Sequence, residues 1–133
     1  MKNTLFVITA LLFSRSVSAI SCTELEKIAN DNRVEYSVYI YGNGSPAPTQ
    51  YSPYQSIVKG SKGFKTYFHT APSTQCKIKN LFIIPHDLVN VNYGFNYRNQ
   101  HWLHVTYWNK GNDTSGWILA KDISSPKRAD TKD

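Results

Sequence analysis

The sequence predicts a mainly β protein with one small domain, and three observations lead there. The stretch from Phe64 to Ile123 holds five short hydrophobic runs, at the spacing of about 8 to 12 residues seen in all-β sandwiches and barrels. Apolar and polar residues alternate within them: Leu103, Val105 and Tyr107 fall on one face of a strand, and Trp102, His104, Thr106 and Trp108 on the other. Turn formers close the runs, among them Gly60-Ser61-Lys62-Gly63, Ala71-Pro72, Pro85 and Asn109-Lys110-Gly111-Asn112-Asp113. With 133 residues the chain can build one modest core but not two domains of ordinary size.

Residues 1–19 read as a secretory signal peptide. Lys2 supplies the positive n-region, Thr4 to Phe13 an apolar run of ten residues, and Val17-Ser18-Ala19 the small-residue cleavage site. A spanning helix needs roughly 18 or more apolar residues, and Arg15 interrupts the run before that, so no stable membrane insertion is expected after cleavage. The mature chain is then expected to begin at Ile20, in the periplasm or outside the cell.

Cleavage removes Lys2 and Arg15 from the 15 basic residues and none of the 9 acidic ones, which leaves a net charge of +4. That is mild, and no block of like charge suggests a nucleic-acid tail; no nucleic-acid partner is expected. Lys59, Lys62, Lys65, Lys77 and Lys79 are dispersed among apolar residues, as on a solvated face or a weak anion-seeking patch.

Two cysteines, Cys22 and Cys76, in an exported chain suggest one disulfide. It would close a long loop and hold the N-terminus onto the β domain, contributing on the order of 3 to 4 kcal/mol by chain entropy. Ala19-Ile20-Ser21-Cys22 also loosely matches a lipidation signal, although Arg15 and a stranded Cys76 thiol weigh against that alternative.

After the signal, Thr23-x-x-Glu26 fits a capping box, and Leu25, Ile28 and Ala29 follow at helical spacing, predicting a short helix ended by Asn30-Asp31-Asn32. Val34, Tyr36, Val38 and Ile40 alternate with Glu35, Ser37, Tyr39 and Tyr41 as in one strand. Gly42 to Pro53 is a Pro- and Gly-rich loop with a turn at Asn43-Gly44-Ser45. Ser56 to Val58 predicts a brief strand, and Phe64, Thr66 and Phe68 a longer one. Leu81 to Ile84 and the alternating Val89, Val91 and Tyr93 follow, then a hairpin around Gly94 to Gln100. Trp102 to Trp108 and Trp117 to Leu119 complete the strands, and the polar tail, residues 124–133, is expected to be disordered.

Several of these residues together resemble the bacterial SH3-like (SH3b) domains of exported proteins. They are Tyr67-Phe68-His69-Thr70-Ala71-Pro72, Cys76-Lys77, Phe82-Ile83-Ile84-Pro85-x-Asp87-x-Val89-x-Val91, Trp102-Leu103-x-Val105-x-Tyr107 and Gly116-Trp117-Ile118. His101 stands where the family often has glycine, and residues 20–63 have no counterpart in the common domain. The resemblance implies a small five-stranded SH3-like barrel over residues 64–123. An N-terminal helix and extra strand in residues 20–63 extend it. It also implies binding of a protein, a peptide or cell-wall peptidoglycan, without catalysis, and places Tyr67 and Trp102 nearest the binding side.

The residues themselves offer little catalytic chemistry. Glu24, Glu26, Glu35, Asp87, Asp113 and Asp122 are scattered and form no evident acid/base pair. His101 and His104, three apart on a strand, point to opposite faces and cannot share an ion, so no metal site and no cofactor are expected. Aromatics are the stronger clue. Nine Tyr, three Trp and six Phe exceed what so small a core needs even without Phe6 and Phe13. They fit either a β core or a recognition surface drawn from Tyr39, Tyr41, Tyr67, Trp102, Trp108 and Trp117. Two functions follow from such a surface: a module that binds the cell wall or a peptide, or an immunity or inhibitor protein that blocks a toxic cell-wall hydrolase.

Overall fold

A computed structural model describes residues 20–129 apart from Ser45, so the expected signal peptide at 1–19 and the tail at 130–133 lie outside the described residues. Its elements are α1 (Cys22–Asp31), β1 (Val34–Glu35), β2 (Val38–Ile40), β3 (Thr49–Tyr51), β4 (Tyr54–Ile57), β5 (Thr66–His69), β6 (Lys77–Ile83), β7 (Leu88–Tyr97), β8 (Gln100–Asn109), β9 (Asn112–Leu119) and β10 (Lys127–Arg128). The protein is mainly β, as the sequence predicts. Among the described residues, eight strands form one antiparallel sheet in the order β10-β4-β7-β8-β9-β5-β6, with β1 also on β7, while β2 and β3 pair only with each other. The sheet does not close on itself. The five runs from Phe64 to Ile123 are β5 to β9, but β1, β4 and β10 join the same sheet from outside that stretch.

The centre of the sheet is the meander β7-β8-β9, and its turns explain its regularity. Arg98-Asn99 and Lys110-Gly111 each connect two strands with two residues of positive φ (49° and 61°, 46° and 85°), the backbone whose twist matches a right-twisted hairpin. The first hairpin is therefore tighter than the predicted Gly94 to Gln100 loop, and Gly94 lies within β7. A Cβ there would come within 3.1 Å of His101 Cε1 and 3.2 Å of Leu103 Cδ2, so a larger residue would have to push those side chains aside.

One face of the sheet carries the main core, in which Val58, Phe68, Ile83, Val89, Val91, Leu103, Val105, Ile118 and Ile123 pack together. Each such side chain contributes about 1.5 to 3 kcal/mol on burial. The opposite face receives α1: Ala29 packs on Trp102 and Trp117, and Leu25 on Ala71 and Cys76. The helix is capped by Ser21, whose Oγ accepts from the Glu24 N–H at 3.2 Å, two residues before the predicted Thr23. Of its expected apolar side chains, Leu25 and Ala29 are buried and Ile28 is exposed. The expected disulfide is present: Cys22, the first residue of α1, is bonded to Cys76 at the end of the 3-10 turn Thr74–Cys76.

Two expectations need correction. The strand predicted from Val34 to Tyr41 is broken after Glu35. The Tyr36 and Ser37 N–H groups both donate to the Asn92 carbonyl, at 3.0 and 3.1 Å, and the chain then leaves the sheet to pair β2 with β3. The tail is ordered as far as it is described. Ser124 N–H donates to Ile57 O, β10 pairs with β4, and Ala129 N–H donates to Pro53 O at 2.8 Å. Polar composition did not prevent order, because β4 had an open edge whose backbone groups needed partners.

Candidate functional site

The face that carries Trp102 and Trp117 is covered by α1 at one end only. At the other end it opens into a cavity of about 610 Å3, lined by Arg33, Ser37, Tyr51, Ser52, Asn90, Asn92, Tyr93, His104, Thr106 and Trp108. A β-bulge builds it. Val91 is paired with Val105 but Tyr93 with His104, so Asn92 is an extra residue in β7. The bulge reverses the alternation: Val89 and Val91 enter the main core, whereas Tyr93 joins His104 on the other face. The sequence alone placed Tyr93 with the two valines. Asn90, opposite Thr106, and Asn92 then share the cavity side with Tyr93.

The bulge also anchors the cavity wall. The Ser37 hydroxyl joins the two N–H groups on Asn92 O, at 3.1 Å. The Ser52 hydroxyl donates to Val91 O, and Asn90 Nδ2 donates to Ser52 O at 3.2 Å. The segments that flank the β2-β3 hairpin are thereby fixed to β7, and Tyr51 at the end of β3 becomes the rim.

The floor is a connected polar network. Asn92 Nδ2 donates to Thr106 Oγ1 at 2.9 Å and to His104 Nδ1 at 3.1 Å, and Thr106 Oγ1 bonds to Ser115 Oγ at 2.8 Å. An amide nitrogen only donates, so His104 Nδ1 accepts and the neutral ring carries its proton on Nε2. His104 stacks on Tyr93 (centroids 4.5 Å apart, planes at 12°) and meets the edge of Trp117 at 5.4 Å. Burial, and secondarily the nearby Arg33 charge, push its pKa down to about 4, so the imidazole is neutral at physiological pH. Burial likewise raises the Tyr93 phenol above its ordinary value. Arg33 lies over the Tyr93 ring at 4.4 Å and pairs with Glu35 at 2.9 Å, so the one cation of the lining has its counter-charge beside it.

Of the six aromatics singled out from the sequence, the cavity brings in only Trp108, which is 63% exposed at its mouth. Trp102 and Trp117 are 0% exposed, sealed beneath α1 and the flanking aromatics, so neither offers a ring to a ligand. They are core residues because the exposed-looking face of β8 and β9 is the helix-packing face. Tyr39 and Tyr41 are 50% and 76% exposed. Tyr39 is paired with Gln50, on the face of the β2-β3 hairpin opposite to Val38 and Tyr51, and neither tyrosine lines the cavity. Tyr67 is half-buried on another surface, edge-on to Phe82 at 5.6 Å with Lys77 Nζ over its ring at 4.7 Å.

The sequence reading missed Arg33, Ser37, Tyr51, Ser52, Asn90, Asn92 and Tyr93. The placement of His104, Thr106 and Trp108 on one face was available from period two and is what the strand shows. His69, buried, donates from Nδ1 to Trp117 O at 3.0 Å and holds the core rather than a site. Among the described residues, no three His, Cys, Asp or Glu side chains gather as a metal site, and no helix is long and apolar enough to cross a membrane. Comparison with known proteins found no family model, no curated protein and no solved structure that matches this chain.

Proposed function

We propose that this is an exported, non-catalytic binding protein that holds a cell-wall ligand in the cavity between β7-β8 and the base of the β2-β3 hairpin. The observation that carries the reading is the lining itself: three aromatic rings around a hydrogen-bonding floor, in a recess of the size usual for ligand sites. No carboxylate among the described residues lines it, and its histidine spends Nδ1 on Asn92 and offers only an Nε2 donor, so the groups present are suited to binding and orienting a ligand. The meander β7-β8-β9 followed by a 3-10 turn at Ala120–Asp122 supports an SH3-like core for the sheet, with residues 20–63 as its extension.

A second reading has its own observation. Among the described residues the β2-β3 hairpin pairs with no other strand, and it exposes Tyr39 and Tyr41, an arrangement suited to entering the cleft of a partner protein, as an immunity or inhibitor protein does.

Sedimentation with purified cell wall and pull-down from envelope extract, each run with wild type, Trp108→Ala and Tyr39→Ala/Tyr41→Ala, separate the two. Sedimentation lost only in Trp108→Ala supports the cavity. Capture of a single stoichiometric protein, lost only in the double tyrosine variant, supports the inhibitor. Sedimentation indifferent to Trp108 overturns the cavity reading.

A further inference from the structure

Resting on the cavity as the ligand site, we infer that what it takes is a neutral saccharide, with a sugar ring laid against Trp108 and its hydroxyls turned to Asn90, Asn92 and His104. Three properties of the lining select that chemistry. The first is charge: Arg33 is the only cation among the lining residues and Glu35 stands 2.9 Å from it, so no unbalanced charge remains to attract a phosphate or carboxylate. The second is the inventory of unused hydrogen-bonding atoms. Asn92 spends its Nδ2 on His104 and Thr106, and Asn90 spends its Nδ2 on Ser52 O; among the described residues both Oδ1 atoms have no partner, and neither is sealed from solvent. His104 accepts at Nδ1 and so keeps a donor at Nε2, also without a partner among the described residues.

These two acceptors, with the His104 Nε2–H and the second N–H of Asn90 Nδ2 as donors, match groups that both donate and accept. Hydroxyls do this; an aliphatic or purely anionic ligand does not. A bound ligand that left the amide oxygens unpaired would leave their desolvation uncompensated.

The third property is the shape of the aromatic surface. Trp108 and Tyr51 stand exposed at the mouth while Tyr93 is pinned below by His104 and Arg33. A pyranose has one face of C–H bonds, which carry slight positive charge, and a rim of hydroxyls. The negative face of an exposed indole attracts the first, and the polar floor receives the second. A peptide added as an extra strand would need a free strand edge. The cavity lies over the face of β7 and β8, both of which are paired on either side.

The experiment is isothermal titration calorimetry on the full oxidised protein with neutral chito- and cello-oligosaccharides and, in parallel, an oligoglucuronide. The expected result is saturable binding of at least one neutral series, weakened about tenfold or more by Trp108→Ala and by Asn90→Ala, with the anionic series no tighter. Trp108 and Asn90 lie outside the sealed core, so both variants are expected to fold, which circular dichroism checks. No heat with either neutral series, binding unchanged in both variants, or preference for the oligoglucuronide would each overturn the inference. If sedimentation with cell wall still depends on Trp108 when the sugars give no heat, the saccharide falls and the cavity as binding site stands.

Discussion

The two ends of one sheet face differ completely in cover. At one end Trp102 and Trp117 lie under α1 with Ala29 against them; at the other, two to six residues beyond Trp102 along β8, His104, Thr106 and Trp108 face a cavity. Strand, face and period are shared. What differs is what the rest of the chain lays on top: a disulfide-tethered helix in one case, and a pair of loops held off by a bulge in the other. The same aromatic content thus builds core where it is covered and a candidate site where it is not, and neither hydrophobicity nor alternation distinguishes the two.

The largest way to break that contrast is at the sealed end. Trp117→Ala empties a fully buried ring site beside Trp102 and Tyr93 and is expected to cost about 3 to 5 kcal/mol, read as a lower urea midpoint. A midpoint unchanged by this substitution would mean the helix does not seal that end. Next comes the tether. Cys22→Ser/Cys76→Ser releases a loop closed over 54 residues and is expected to destabilise by about 2 to 5 kcal/mol. Because Leu25 and Ala29 then lose their fixed position, the indole of Trp102, expected to resist iodide in the oxidised protein where it is fully buried, should become quenchable.

The third probe is acid, aimed at the boundary between the two ends. His104 has a folded pKa of about 4 against an ordinary 6.5, so between those values the unfolded chain binds a proton that the folded one refuses. Folded stability therefore falls as pH drops from about 6.5 towards 4, by at most about 3 kcal/mol, and levels off below. His69, lowered mainly by burial, adds in the same direction. His104→Gln should flatten the curve in part; a variant curve parallel to wild type across that window would show that His104 is not held neutral. The smallest effect belongs to the open end. Trp108→Ala should change stability by no more than about 0.5 kcal/mol, because most of its ring is exposed, while any ligand binding changes far more.

The legible part of the structure was that set by local chemistry. The turn within Asn109 to Asp113, the succession of strands, the short helix and the pairing of two lone cysteines all follow from residues near in sequence or from simple counting, whereas the hairpin read around Gly94 to Gln100 closes more tightly, at Arg98-Asn99. Period two also put His104, Thr106 and Trp108 together. The bulge was not legible. Asn92 is one residue in an unbroken Val-Asn-Val-Asn-Tyr alternation, and nothing local says that the partner strand skips it. That single insertion moved Tyr93 to the other face and gave the valley its floor. The burial of Trp102 and Trp117 was hidden for a related reason: a short amphipathic helix does not announce which face of a sheet it will cover. The ordered tail likewise depends on β4, some seventy residues earlier, having an edge to fill.

The three donors converging on the Asn92 carbonyl have a consequence for the order in which the molecule assembles. The contacts that fix the wall of the cavity join residues 38 to 56 positions apart, whereas the hairpin that supplies the floor closes through two residues. Loop-closure entropy makes the meander the early event and the wall a late one. The recess therefore exists only in the last state reached on folding. A ligand bound there adds nothing to the nucleus and acts by slowing unfolding, so its presence should appear in the unfolding rate and leave the folding rate almost untouched.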